Sequence, residues 1–102
     1  MGGSRGHESQ VGGQSLNVRW LKLADKDLDE IENYIRRDNS SAATRVVLRI
    51  VKAVEMLEEH PGIGRPGRVE GTKELVIPNM PYIVPYRIKN KTVQILRVLH
   101  QD

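Results

Sequence analysis

Apolar and polar residues alternate over residues 16–23 (LNVRWLKL), with Leu16, Val18 and Trp20 on one side and Asn17 and Arg19 on the other. A period of two predicts a first strand there. From about residue 24 the period lengthens, and Leu28, Ile31, Tyr34 and Ile35 recur at helical spacing to about residue 37. Asp25, Asp27, Asp29, Glu30 and Glu32 crowd the start of this segment, and Arg36 and Arg37 close it. That order of charge suits the helix macrodipole. Asp38, Asn39, Ser40 and Ser41 then form a turn signal in which Ser40 or Ser41 is the expected cap of a second helix. Ala43, Val46, Val47, Ile50, Val51, Val54 and Leu57 carry the helical period to about residue 59, where Pro61-Gly62 stops it.

Residues 62–71 (GIGRPGRVEG) read as a long loop. Strand patterns follow at 73–77, 82–88 and 92–99, separated by turns short enough for an antiparallel meander. Tyr82, Val84, Tyr86 and Ile88 alternate onto one face, which assigns the tyrosines to the core side rather than to stacking on bases. Trp20 is assigned to the core in the same way. Pro85 stands inside a strand without an N–H to give to a ladder, so a bulge or a solvent-facing edge is expected there. The expected class is α+β, in the order βααβββ, with a helical hairpin packed on one face of a small, mainly antiparallel sheet.

Composition narrows the chemistry. The chain of 102 residues has no cysteine, which excludes disulfides, thiolate metal sites and thiol catalysis. No apolar run reaches the ~18 residues of a membrane span, and no signal-peptide core opens the chain, so a cytoplasmic protein without membrane contact is expected. Residues 1–15 are rich in Gly, Ser and Gln and are expected to be a disordered leader, leaving residues 16–102 as one domain. Residues 17–60 hold eight Lys/Arg against nine Asp/Glu, whereas residues 61–102 hold seven against three. A surface for nucleic acid or an acidic partner is therefore sought in the second half.

Ala24, Asp27, Leu28, Ile31, Tyr34 and Ile35, the run GRPGRVEGTKELVIPNMPYIVPYRI at 64–88 and the closing TVQILRVLH at 92–100 together resemble the RelE/ParE superfamily of bacterial type II toxins. The resemblance covers essentially all of residues 17–100. It implies a toxin neutralised by a cognate antitoxin that folds on binding. RelE-like members cut mRNA on the ribosome, and ParE-like members inhibit DNA gyrase without known hydrolytic activity. Of these, ribosome-dependent cleavage is the leading expectation, as a metal-independent endoribonuclease without cofactors, and gyrase inhibition the alternative.

Cleavage requires proton transfer and cations that hold a phosphate. His100 stands where some ribosome-dependent relatives carry a functional histidine, with Arg97 three residues before it. Strict alternation puts the two on opposite faces unless the strand twists or bulges. His7 falls in the leader, and His60 ends a helix at its negative pole. Arg65, Arg68, Lys73 and Arg87 are the expected substrate-binding cations. Loop solubility accounts equally for Arg65 and Arg68, and edge protection for Lys73 and Arg87. The acids of the first helix fit its dipole better than a metal site. The paired strand lysines of well-known RelE-like enzymes are not reproduced, since the corresponding segment reads Lys73-Glu74-Leu75-Val76-Ile77. The chain also runs only two residues past His100. Both departures favour the ParE-like alternative.

Overall fold

The hydrophobic periods place most of the elements close to where they form. The computed structural model describes residues 15–101, in which β1 (Asn17–Trp20) is followed by α1 (Lys22–Arg36) and α2 (Ser40–Glu55). The strands β2 (Arg65–Pro66), β3 (Lys73–Val76), β4 (Tyr82–Lys89), β5 (Thr92–Ile95) and β6 (Leu99–His100) complete the chain. Apart from exposed Ser15, the expected leader with His7 lies outside the described residues. The sheet runs β1-β5-β4-β3-β2, with β6 also on β4. β1 lies parallel to β5, and every other pairing is antiparallel. The class is α+β, as the sequence predicts.

The core forms where the helices cover one sheet face. Ile50, Val54 and Leu57 meet Leu75, Ile77, Val84, Tyr86, Val93 and Ile95, while Ala24, Leu28 and Ile31 bring α1 to its margin. Trp20 packs against this cluster, as expected. Tyr34 does not join the α1 stripe, being 70% exposed. At about 100° per residue, Ala24, Leu28, Ile31 and Ile35 line up while Tyr34 falls nearly a quarter turn away. Ile88 keeps to the face it was expected to share, opposite Val93, but near the end of β4 it is exposed rather than buried.

Three local corrections have simple causes. The cap of α2 is Asn39 rather than Ser40 or Ser41: its extended backbone lets Oδ1 accept from the Ala42 N–H at 3.0 Å and from the Ser41 hydroxyl at 3.0 Å. The α-helix ends at Glu55, short of residue 59, and a 3-10 turn over Met56–Glu58 rotates Leu57 fully into the core. The expected loop at 62–71 contains β2, which pairs with β3. That loop is tied down by Tyr86, whose buried hydroxyl donates to the Pro61 carbonyl at 2.7 Å and accepts from the Gly64 N–H at 2.9 Å. Gly64 is required there, since a Cβ would lie 2.6 Å from that hydroxyl. No helix among the described residues is long and apolar enough to cross a membrane.

Candidate functional site

The site begins with Pro85. Leu96 donates its N–H to the Pro85 carbonyl at 2.9 Å, but proline has no N–H to complete the pair. On the far side of this half-made pair the ladder resumes out of step. Tyr86 faces Ile95 and Ile83 faces Leu99, so Leu96, Arg97 and Val98 span the place of only Val84 and Pro85. One extra residue against the partner strand is a β-bulge. The last strand, expected to be continuous over 92–99, is therefore two strands, and the irregularity that Pro85 demands falls on the opposite strand.

A bulge of one residue reverses which face each later side chain takes. Val98 turns into the core, Leu99 pairs beside Ile83 on the face away from the helices, and His100 pairs opposite Tyr82. The His100 and Tyr82 rings meet edge to face, with centroids 5.5 Å apart and planes at 84°. Asp27 of α1 closes the bulge. Its carboxylate accepts from Arg97 Nε at 2.7 Å, from Arg97 Nη2 at 3.0 Å and from the Val98 N–H at 2.9 Å. The Arg97 fork is thus taken up in two parallel, charge-assisted bonds.

On the sheet face away from the helices, this end holds a cavity of about 470 Å³. Ile83, Pro85, Leu96 and Leu99 form an apolar floor, and Arg65, Arg68, Arg97 and His100 stand around it. Arg65 is held by the buried carboxylate of Glu74, with Nε and Nη2 each 3.2 Å from Oε1. A shallower groove of about 300 Å³ lies on the helix side of β6 between Ile31, Tyr34, Tyr82 and His100, so His100 borders both hollows. Of the cations singled out in the sequence, Arg65, Arg68 and Arg97 are gathered with His100. Lys73 and Arg87 are not: Lys73 sits opposite Tyr86 on β3, and Arg87 donates from Nε to Gln94 Oε1 at 2.6 Å farther along β4.

Burial alone would raise the Asp27 pKa, but the bonds from Arg97 and Val98 outweigh it and hold the carboxyl below its usual range. Asp27 in turn pushes Arg97 further up, through its hydrogen bond first and its charge second. Burial raises the Tyr82 and Tyr86 hydroxyls, so both stay neutral and able to donate at physiological pH. Among the described residues, no group of three or more His, Cys, Asp or Glu side chains is gathered for a metal. The arrangement can hold an anionic group beside an apolar one. Its weaker point as a catalyst is that Arg65 and Arg97 already face carboxylates of the fold.

Sequence reasoning missed Asp27 and Glu74 as site residues. Asp27 stands among four other acids in α1, and nothing in its spacing separates the one that turns inward. Glu74 occupies a strand position whose alternation marks it as facing away from the helices, but only the pairing of β2 with β3 brings Arg65 across from it.

The chain matches the family described as the ParE toxin of the type II toxin–antitoxin system parDE over residues 18–102. Over 83 residues it is 52% identical to "Putative toxin Y4kP" of Sinorhizobium fredii, covering 81% of this chain and 85% of that protein. Over 83 residues it is 34% identical to "Toxin RelE2" of Caulobacter vibrioides, covering 81% and 92% respectively. A solved structure of the chromosomal ParDE system from P. aeruginosa superposes with a TM-score of 0.81 at 30% identity, covering 88% of this chain and 100% of the other. The RelBE2 toxin–antitoxin complex from Mycobacterium tuberculosis gives a TM-score of 0.64 at 27% identity, covering 85% and 99%.

Proposed function

Since this chain belongs to the ParE toxin family of type II toxin–antitoxin systems, we propose that a cognate antitoxin neutralises it and that the free toxin arrests growth by binding DNA gyrase, without cutting RNA. Membership makes it a toxin of the ParE/RelE kind; the target is the step beyond. One observation carries that step. Arg97, which cleavage would need as a phosphate-holding cation, is engaged through both faces of its fork by Asp27. Releasing it would leave a mostly buried carboxylate with the Val98 N–H but without its cation, which is costly. A protein that acts by binding alone has no need of that release.

The second reading, ribosome-dependent mRNA cleavage, is favoured by His100 standing with Arg65 and Arg68 around one cavity. The variant His100→Ala separates the two, with folding checked by thermal melting. Gyrase binding entails growth arrest reduced by less than about tenfold. Loss of a general acid or base entails a fall in rate of about 10²–10⁴-fold.

The antitoxin assignment is supported by the two solved relatives, which come from toxin–antitoxin systems. It is also supported by a basic rim over an apolar floor, which suits an acidic segment that folds as it binds. Co-expression with the product of the adjoining reading frame should yield a stable complex and restore growth. A toxic chain that captures no such partner would refute the pairing.

A further inference from the structure

The two faces of the sheet differ most over β1, β5 and the second half of β4. Toward the helices these strands turn Val18, Trp20, Val93, Ile95 and Tyr86 into the core or against it. Alternation sends the residues between them to the face away from the helices. The pairings set these in two rows across the three strands: Arg19 beside Gln94 beside Arg87, and Asn17 beside Thr92 beside Lys89. Arg19, Arg87 and Lys89 are exposed, as is Lys91 in the turn that joins β4 to β5.

The charge on this face has one sign. Residues 75–101 contain no Asp or Glu, and neither does β1. Among the described residues, Arg19, Arg87, Lys89 and Lys91 enter no ion pair, whereas Lys26, Arg36, Arg65 and Arg97 each face a carboxylate of the fold. Arg87 is held without being neutralised: its Nε donates to Gln94 Oε1 at 2.6 Å, and the guanidinium keeps its charge for another acceptor. The common reasons for surface cations do not account for this. β4 and β5 lie inside the strand order, so Arg87 and Lys89 guard no edge against aggregation. Solubility is served by interspersed charges of both signs, such as α1 carries, and a field of one sign instead attracts a polyion of the other.

The residue types on this face select among polyanions. Recognition of single-stranded nucleic acid relies on aromatic rings that stack on bases, and the outward residues of these strands include none, since Trp20, Tyr82 and Tyr86 all turn to the helix side. Cations and short polar groups suffice for the backbone of a duplex. Arg19 and Arg87 stand about 10 Å apart across two strand spacings, and Arg87 and Lys89 about 7 Å apart along one strand. A duplex carries one negative charge per ~1.7 Å of its axis, so it can meet all three cations at once.

We propose that the outer face of β1, β5 and the second half of β4 binds the phosphate backbone of duplex DNA, without regard to base sequence, through Arg19, Arg87 and Lys89. This surface shares no residue with the cavity ringed by Arg65, Arg68, Arg97 and His100. The contact belongs to the chain itself, so its test stands whether the target is gyrase or mRNA.

The test is fluorescence anisotropy of a short labelled DNA duplex titrated with the purified full chain at several salt concentrations. Three phosphate contacts should give a log–log salt slope of about −2.7, a loss of roughly 40-fold in affinity between about 50 and 200 mM salt. Arg19→Ala, Arg87→Ala and Lys89→Ala should each flatten that slope by about 0.9, and the triple variant should lose most of the binding. Arg87→Lys should bind like the parent, because a phosphate accepts a point charge. The charge-matched triple variant Arg36→Ala/Arg45→Ala/Lys52→Ala on the helices should keep the parent slope. Thermal melting checks that each variant is folded, and if the sheet triple variant is not, the slopes of the single variants decide. A parent slope near zero, equal losses in the two triple variants, or tighter binding to a single-stranded RNA of the same length would overturn the proposal.

Discussion

The two halves of β4 follow different rules. From Tyr86 to Lys89 the strand meets β5 in an unbroken ladder, closed by a two-residue turn. From Tyr82 to Pro85 it meets the end of the chain across a bulge and gathers Arg97 and His100 beside it. The regular half is held by burial, with Tyr86, Val93 and Ile95 fully enclosed under the helices. In the irregular half, one proline removes a ladder bond and one carboxylate takes up the displaced amide. Regular pairing hides side chains in a core; interrupted pairing turns them outward in a fixed direction, which is what a binding surface requires.

The largest effects should come from the regular half. Ile95→Ala removes a fully buried side chain from the centre of the core and is expected to cost about 2–5 kcal/mol in denaturant unfolding. Next comes Tyr86→Phe, which leaves the Gly64 N–H and the Pro61 carbonyl without the hydroxyl that joins them. A loss of about 1–3 kcal/mol is expected, together with faster amide exchange at Gly64.

Asp27→Asn tests the irregular half and should lower Tm at neutral pH by about 4–8 °C, the shift for roughly 1 kcal/mol in a domain of this size. Its pH dependence has a definite sign. The folded-state pKa of Asp27 lies below the ordinary value, so the contribution is present above the ordinary carboxylate range and is lost as pH falls through the lowered folded value. Parent and Asp27→Asn should converge in acid and separate toward neutrality; an equal gap at every pH would contradict the ion pair. The smallest effect belongs to the β4–β5 turn, where Asn90 and Lys91 both take left-handed backbone, with φ of 53° and 61°. Lys91→Gly should stabilise the domain by about 0.5–1 kcal/mol, because glycine adopts that conformation without the clash of a Cβ.

The contrast also sets what the sequence reveals. Periods of 3.6 and two locate the helices and the strands of the regular half because burial imposes them. Pro85 announces an interruption but not on which strand it falls. The partial exception in α1 is Tyr34, an apolar-looking position that the helix turns outward. Arg65, Arg68, Arg97 and His100 are visible as candidates by residue type, and their convergence depends on the bulge. Asp27 and Glu74 are hidden because an inward carboxylate looks like any other until its arginine arrives, from 70 residues away for Asp27.

The most direct measurement adds the purified toxin to gyrase supercoiling reactions and to programmed ribosomes carrying a labelled mRNA, each with and without the cognate antitoxin. Gyrase binding entails supercoiling that stops in proportion to added toxin and recovers with antitoxin, while the mRNA stays intact. Cleaved mRNA with unimpaired supercoiling would contradict it.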